Sequence, residues 1–197
     1  MATGSAERTI EMADARRPVP EAVLGEGTLR FDARATVGRF VGETRAITGR
    51  VRAASDLRHA RGWVEAPVRS LATGNSRRDR DLNLSMESDR YPTLRYDLTG
   101  VTTRADGRDG IDAVLHGTLS VHGVTRAVDV PARIVPAADA IAVRGSFPLD
   151  LTDYCIGGLT KFLGLLRMHE DIVVHVALTF WPTGAIGPRG ARAATTR

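Results

Sequence analysis

The stretch Ser70–Leu98, SLATGNSRRDRDLNLSMESDRYPTLRYDL, decides how the chain is read, because a charged segment with helical spacing separates two segments that alternate every second residue. Ser76 is placed to cap the backbone N–H of Asp79, three residues on, and Asp79 falls in the first turn, where negative charge meets the positive end of the helix dipole. The spacing predicts a helix over Ser76–Glu87. Leu82 and Met86, four apart, share its apolar face, with Leu84 also expected beneath the charges. Arg77 and Asp81, again four apart, are expected to pair on the side facing water. Tyr91-Pro92 is expected to end the segment, since proline pushes the residue before it out of helical geometry. Leu94, Tyr96 and Leu98 then resume a period of two. One short amphipathic helix in a chain otherwise patterned as strands points to a lid or a plug.

Outside that insert the alternation is nearly unbroken. Leu29, Phe31, Ala33, Ala35 and Val37 share one face, and Thr28, Arg30, Asp32, Arg34 and Thr36 share the other. The pattern recurs at Ile47–Ala53, Val64–Val68, Leu94–Leu98, Ile111–Val121, Val128–Ile134, Ile141–Leu151 and Ile172–Phe180, giving eight segments. Few gaps between them could hold a crossover helix, so neighbours are expected to pair antiparallel through short turns such as Gly107–Gly110 and His122-Gly123. A long twisted sheet with one apolar face must meet a second sheet or close on itself, and eight strands is the size that encloses one small ligand. A sandwich is the alternative to a barrel. Gly49, Gly117 and Gly145 are read as kinks or bulges that let such strands bend. GRFVG at Gly38–Gly42 lacks the ending of a phosphate-binding loop and is read as a turn.

Composition narrows the function. The chain has 197 residues, 43% of them hydrophobic, enough for one large all-β domain; aromatic content is only 5%, so the interior is mostly aliphatic. A formal charge of +4 invites a nucleic-acid reading, but of 27 basic residues only Lys161 is a lysine, and most arginines fall on polar strand positions or beside acids. A solvated mixed-charge surface is the better account, and no nucleic-acid partner is expected. Residues 1–23 read as a polar, loosely ordered arm, at most adding a short strand at Thr9–Met12, and residues 183–197 read as a disordered basic tail. The first 24 residues hold no run of seven apolar residues, so no secretory signal is read there and a cytoplasmic location is expected. No stretch is long and apolar enough for a spanning helix, so no stable membrane insertion is expected.

No catalytic or metal constellation emerges. His116 and His122 are six apart on one strand, about 20 Å at ~3.3 Å per residue, too far to share an ion. His116 and His175 carry outward parity, His122 sits in a turn and His169 precedes the last strand. There is no CxxC, HxxxH or GxSxG. Cys155, the sole cysteine, is read as a small, partly buried residue. Asp153–Met168, DYCIGGLTKFLGLLRM, is too apolar for a free loop and is read as either a cavity wall near the barrel mouth or a plug that closes the barrel.

The motifs TGNxxRDRDL, YPTLRYDL and HGTLSVHGVTRAV, with LRFDARATVGRFVGETRAITGRV upstream and FPLDLTDYCIGGLTKFLGLLRMHEDIVVHVAL downstream, resemble the YceI-like family of lipocalin-type barrel proteins. The resemblance implies an all-β, extended, antiparallel eight-stranded β-barrel over residues 24–182 with one short helix, holding a long isoprenoid such as a polyprenyl lipid or an isoprenoid quinone. It implies neither catalysis nor a cofactor, and it suggests a homodimer, with which long edge-capable strands are compatible. Strand parity and the apolar loop nominate Leu29, Phe31, Val37, Phe40, Leu94, Tyr96, Leu115, Leu119, Phe147, Phe162 and Leu163 as the ligand-binding wall. Binding by burial alone predicts weak head-group selection. Two other readings stand beside it: a ligand-free interaction or stress-associated barrel with a filled core, and an enzyme acting through Tyr154 or His169. A continuous void of a few hundred Å³ separates the first of these from a lipid binder.

Overall fold

The computed structural model describes residues 21–36, 38–53, 57–107, 110–157, 160–161, 166–167 and 169–183. In chain order these form β1 (Glu21–Ala35), β2 (Gly38–Thr44), β3 (Thr48–Arg52), β4 (Arg61–Pro67), helix α1 (Ser76–Ser85), β5 (Thr93–Gly107), β6 (Gly110–Val121), β7 (Val124–Pro136), β8 (Ile141–Asp150), β9 (Thr160–Lys161), β10 (Leu166–Arg167) and β11 (Asp171–Pro182). Three short 3₁₀ turns, at Leu57–His59, Val68–Ser70 and Leu151–Tyr154, join them. Residues 1–20 of the expected arm, with its strand at Thr9–Met12, and the tail beyond Thr183 lie outside the described residues, whereas Glu21–Val23, read as the end of the arm, belong to β1.

Sequential antiparallel pairing runs from β3 through β4, β5, β6, β7 and β8 to β11. β1 closes the circle by pairing with β11 over Ala22–Asp32 and with β3 over Glu21–Val23. Closure makes an eight-stranded antiparallel barrel and removes the sandwich alternative, because no sheet edge is left within the ring.

Two expectations fail at β1 and β2. The first strand begins at Glu21, well before Thr28, and a register shift between Leu24 and Glu26 reverses its parity. Ala22 and Leu24 therefore face inward at even positions, and Phe31 and Ala33 at odd ones. GRFVG is a strand: β2 pairs with β1 from Leu29↔Thr44 to Ala35↔Gly38. Gly42, buried opposite Phe31, has no room for a side chain, since a Cβ there would lie 2.2 Å from the Phe31 ring.

The glycines read as bulges are in unbroken register at Gly49 and Gly145. The bulges fall instead at Gly25, Thr99 and Arg104, where one strand carries an extra residue. Gly117 makes room for a ring: a Cβ there would lie 2.5 Å from the Tyr96 ring and 2.4 Å from the Asp97 carbonyl. The β6–β7 hairpin does turn at His122-Gly123, both with positive φ.

Most inward side chains form one core around Phe31, Ala33, Val121, Val130, Phe147, Tyr154 and Val174, with smaller clusters around Leu178–Phe180 and around Ala60, Val101 and Ile134. Arginines pair along the outer face, as expected: Arg30 with Asp32 at 2.8 Å, Arg95 with Glu65 at 3.1 Å, and Arg133 with Asp112 at 2.6 Å.

Candidate functional site

The inward residues do not fill the barrel. They enclose a cavity of about 980 Å³, at the top of the roughly 300–1,000 Å³ range of small-molecule sites. Leu29, Phe31, Phe40, Leu94, Tyr96, Leu115, Leu119 and Phe147 all line it. Val37, Phe162 and Leu163 lie outside the described residues. Leu29, Leu94, Leu115 and Leu119 point inward yet remain only partly buried. Val51, Val101, Val130, Ile134, Val174 and Phe180 share the same inward parity and line the same space. Leu57, Ala60 and Leu71 line it from outside the strands, where no periodicity marks them.

The phenol of Tyr96 crosses over Gly117 and donates toward two wall carbonyls, of Leu115 at 3.0 Å and of Val128 at 3.2 Å. Burial pushes its pKa up, and the nearby Asp129 charge adds to the shift. The hydroxyl is therefore a neutral donor committed to the wall. Elsewhere on the wall, Phe31 meets Phe40 edge to face, with centroids 6.3 Å apart.

Helix α1 stands at one end of this space. Its N-cap is Asn75, whose side chain accepts from the N–H groups of Arg77 and Arg78 at 3.1 Å each; Ser76, the expected cap, is the first helical residue. Asp79 is in the first turn as expected, and its carboxylate also accepts from the N–H and hydroxyl of Thr73, at 2.8 and 2.6 Å. The helix ends at Ser85, before Tyr91-Pro92. The N–H of Ser88 bonds the Asn83 carbonyl and that of Glu87 bonds the Leu84 carbonyl, with Glu87 at φ 43°, the left-handed C-terminal closure usually given to glycine. Leu82 and Met86 pack on the core, whereas Leu84 points away and is 70% exposed. Arg77 is exposed, as expected of the side facing water, and both it and the half-buried Asp81 border the cavity.

The C-terminal end of α1 is tied to the barrel through His122. Its Nδ1 lies 3.1 Å from the Tyr154 carbonyl, its buried Nε2 lies 3.3 Å from Glu87 Oε1 without hydrogen-bond alignment, and Tyr91 packs on its ring. Tyr154 and Ile156 from the Asp153–Met168 loop are buried in the core, and Ile156 reaches the cavity. This part of the loop is wall and plug at once. Burial raises the pKa of the Tyr154 hydroxyl, with the charge of Asp153 next in effect. Cys155 is exposed, not partly buried, because its left-handed backbone at φ 57° ends the 3₁₀ turn and swings its side chain outward. His116 bridges Thr102 and Asp129 on the outer face, and His175 lies 3.5 Å from Asp32. No helix among the described residues is long and apolar enough to cross a membrane.

Solved structures share the architecture. A polyisoprenoid binding domain from Saccharophagus degradans, implicated in plant cell wall breakdown, superposes with a TM-score of 0.68 at 15% identity, over 84% of this chain and 100% of its own. BcnA from Burkholderia cenocepacia gives 0.67 at 13% identity, over 78% and 95%. A YceI protein from Campylobacter jejuni gives 0.58 at 16% identity, over 72% and 84%. No curated protein sequence is a significant match. The YceI-like domain model matches residues 24–180. With that match reaching all eight strands of the closed ring around the cavity, short only of the outer ends of β1 and β11, the chain belongs to the YceI-like family.

Proposed function

We propose that the protein holds a long apolar isoprenoid chain, a polyprenyl lipid or an isoprenoid quinone, inside the barrel, and carries or stores it without transforming it. The observation that carries this reading is the 980 Å³ cavity with an almost wholly apolar wall. At up to about 0.8 kcal/mol per enclosed methylene, some twenty carbons give at most about 16 kcal/mol, enough to offset association costs of roughly 4–15 kcal/mol. The polyisoprenoid binding of the Saccharophagus domain supports the same chemical class. A filled, ligand-free interaction barrel has no support in a cavity of this size. Binding without catalysis is favoured by the commitment of Tyr96 to wall carbonyls and by the placement of His116 and His175 outside the lumen. Solvent extraction of freshly purified protein followed by mass spectrometry tests the reading. An isoprenoid recovered in stoichiometric amount is the expected result; protein that is reproducibly empty and also fails to take up quinones and polyprenols overturns it.

A further inference from the structure

Every strand of the ring has two neighbours, but one of these contacts is short. β7 pairs with β8 only from Ala132↔Gly145 to Pro136↔Ile141. Beyond that point β7 stays paired with β6 as far as Val124, and β8 stays paired with β11 as far as Asp150, while the two no longer pair with each other. A proline stands on each side of the parting. Proline has no N–H, so in a paired strand its nitrogen turns away from the bonded neighbour. Counting from the bonded pair Val121↔Val124 at the two-residue hairpin turn, Val114↔Pro131 falls at a non-bonded position, and the Pro131 nitrogen faces β8. Continued through the β7–β8 ladder, the same alternation turns the Pro148 nitrogen toward β7. The ladder thus stops at Pro131, and Pro148 withholds the next donor from the β8 side.

The turn that follows β8 bridges this parting. Leu151 and Ile156 line the cavity together with Val130 of β7 and Phe147 and Leu149 of β8. Arg126 of β7 has the parity of Val124, Val128 and Val130, which pack on the core, yet it is exposed. Its guanidinium reaches the turn, donating to the Asp153 carbonyl at 2.6 Å and lying 3.3 Å from the Asp153 carboxylate. With the 3.1 Å contact between His122 Nδ1 and the Tyr154 carbonyl, these contacts stand where ladder bonds would. The strap is not fully satisfied in this position. The Tyr154 side chain is 1% exposed, and its hydroxyl has no hydrogen-bond partner among the described residues. A buried hydroxyl without a partner carries its full desolvation cost, which is recovered on reaching water. Packing holds the strap in, and this hydroxyl opposes it.

We infer that residues 152–156 are a gate, and that the cargo enters and leaves sideways, between β7 and β8, when this strap swings away from Arg126. The inference rests on the isoprenoid-binding reading above. The hinge is Leu151, whose N–H stays bonded to the Glu170 carbonyl at 3.0 Å. Opening breaks no β7–β8 ladder bond, since none exists there, and leaves the β6–β7 and β8–β11 ladders intact. Local opening at the cost of a few contacts is the motion such a segment allows while the barrel stays folded. A slit along the wall also suits a long chain, which slides in along its length instead of threading end-first past α1.

Stopped-flow mixing of delipidated full-length protein with a diprenyl benzoquinone reads entry through quenching of tryptophan fluorescence, because Trp63 lines the cavity; transfer of the quinone to phosphatidylcholine vesicles reads release. Arg126→Gln is expected to speed both steps at least about threefold, and Tyr154→Phe, which removes the unpartnered hydroxyl, to slow both by a similar factor. Free and loaded barrels share the closed strap, so Kd stays within about twofold of the parent in both variants. Arg133→Gln breaks the pair with Asp112 where β7 and β8 are still bonded, and changes neither rate. Rates unchanged in Arg126→Gln and Tyr154→Phe, or altered as much in Arg133→Gln, overturn the gate and leave the isoprenoid reading standing. Failure of the quinone to bind the parent overturns both. Amide exchange of the unliganded parent reads the same motion without any substitution: residues 152–156 are expected to exchange ahead of the β6–β7 and β8–β11 ladders, and equal protection overturns the gate.

Discussion

Leu115→Phe combined with Leu119→Phe measures whether the lumen is hollow. Both residues point inward from β6 and line the cavity, and Leu115 packs against two of the three core clusters. The pair of substitutions adds about six carbon atoms and no polar group. In a filled core such an addition would cost about 1–3 kcal/mol per site through off-rotamer side chains and backbone shifts. Here the rings enter a space of about 980 Å³, so the expected change in unfolding free energy is within about 0.5 kcal/mol of zero. The cargo feels the opposite effect. About six displaced methylenes at about 0.8 kcal/mol each remove up to ~5 kcal/mol of binding, more than three orders of magnitude in affinity. Urea unfolding of delipidated protein reads the first quantity, and displacement of a fluorescent polyene by a polyprenol reads the second. A stability loss above about 2 kcal/mol with an unchanged urea slope would mean that the lumen is packed; unchanged polyprenol affinity would mean that the chain lies elsewhere.

Gly117→Ala is expected to destabilise the barrel by about 2–3 kcal/mol in urea titration, because the new Cβ meets the Asp97 carbonyl at 2.4 Å as well as the Tyr96 ring, and a carbonyl held in a strand cannot step aside. Asn75→Ala removes the acceptor of two helix N–H groups and should cost about 1 kcal/mol; amide exchange would quicken over residues 76–85 while barrel strands keep their protection. Acid is expected to loosen the fold through three carboxylates held below their ordinary pKa, Glu21 chiefly by Arg52, Asp32 by Arg30 and Asp150 by the Thr152 hydroxyl. A carboxyl whose pKa is lower folded than unfolded stabilises fully above its unfolded value of about 4 and loses that contribution as pH falls through its folded value. Melting temperature against pH should therefore fall less steeply below about pH 4 in Asp32→Asn than in the parent, and parallel curves would count against the assignment.

Strand parity was a sufficient guide to the wall because every second residue of a closed sheet must face the lumen, and so eight of the eleven nominated positions line it. The same rule failed where the backbone changes count. At β1 the bulge at Gly25 moves the inward set from even to odd positions, which hides the first third of the strand from any search for a single period. At β2 the inward position between Phe40 and Thr44 is Gly42, left empty to receive the Phe31 ring, so the apolar signal disappears where a ring packs against the backbone. The helix was legible in its location and its Leu82–Met86 face, but its boundaries depend on Asn75 and on a left-handed Glu87, residues with neighbours equally able to cap or turn.

Arg77 is exposed, as its spacing predicts, yet it and Asp81 also border the cavity, which helical spacing does not announce. Spacing of four along a helix shows that two charges can meet each other; it does not show what stands opposite them. The partner surface here is β2, which brings Phe40 under Arg78 and Arg39 to the same opening. A long-range strand register, not local patterning, sets these helix charges beside the apolar cavity. Weak head-group selection follows if the rim charges are satisfied among themselves. Strong, salt-sensitive selection follows if the rim keeps a net positive charge. The ratio of affinities for lipids that differ only in their head distinguishes these cases without reference to the tail.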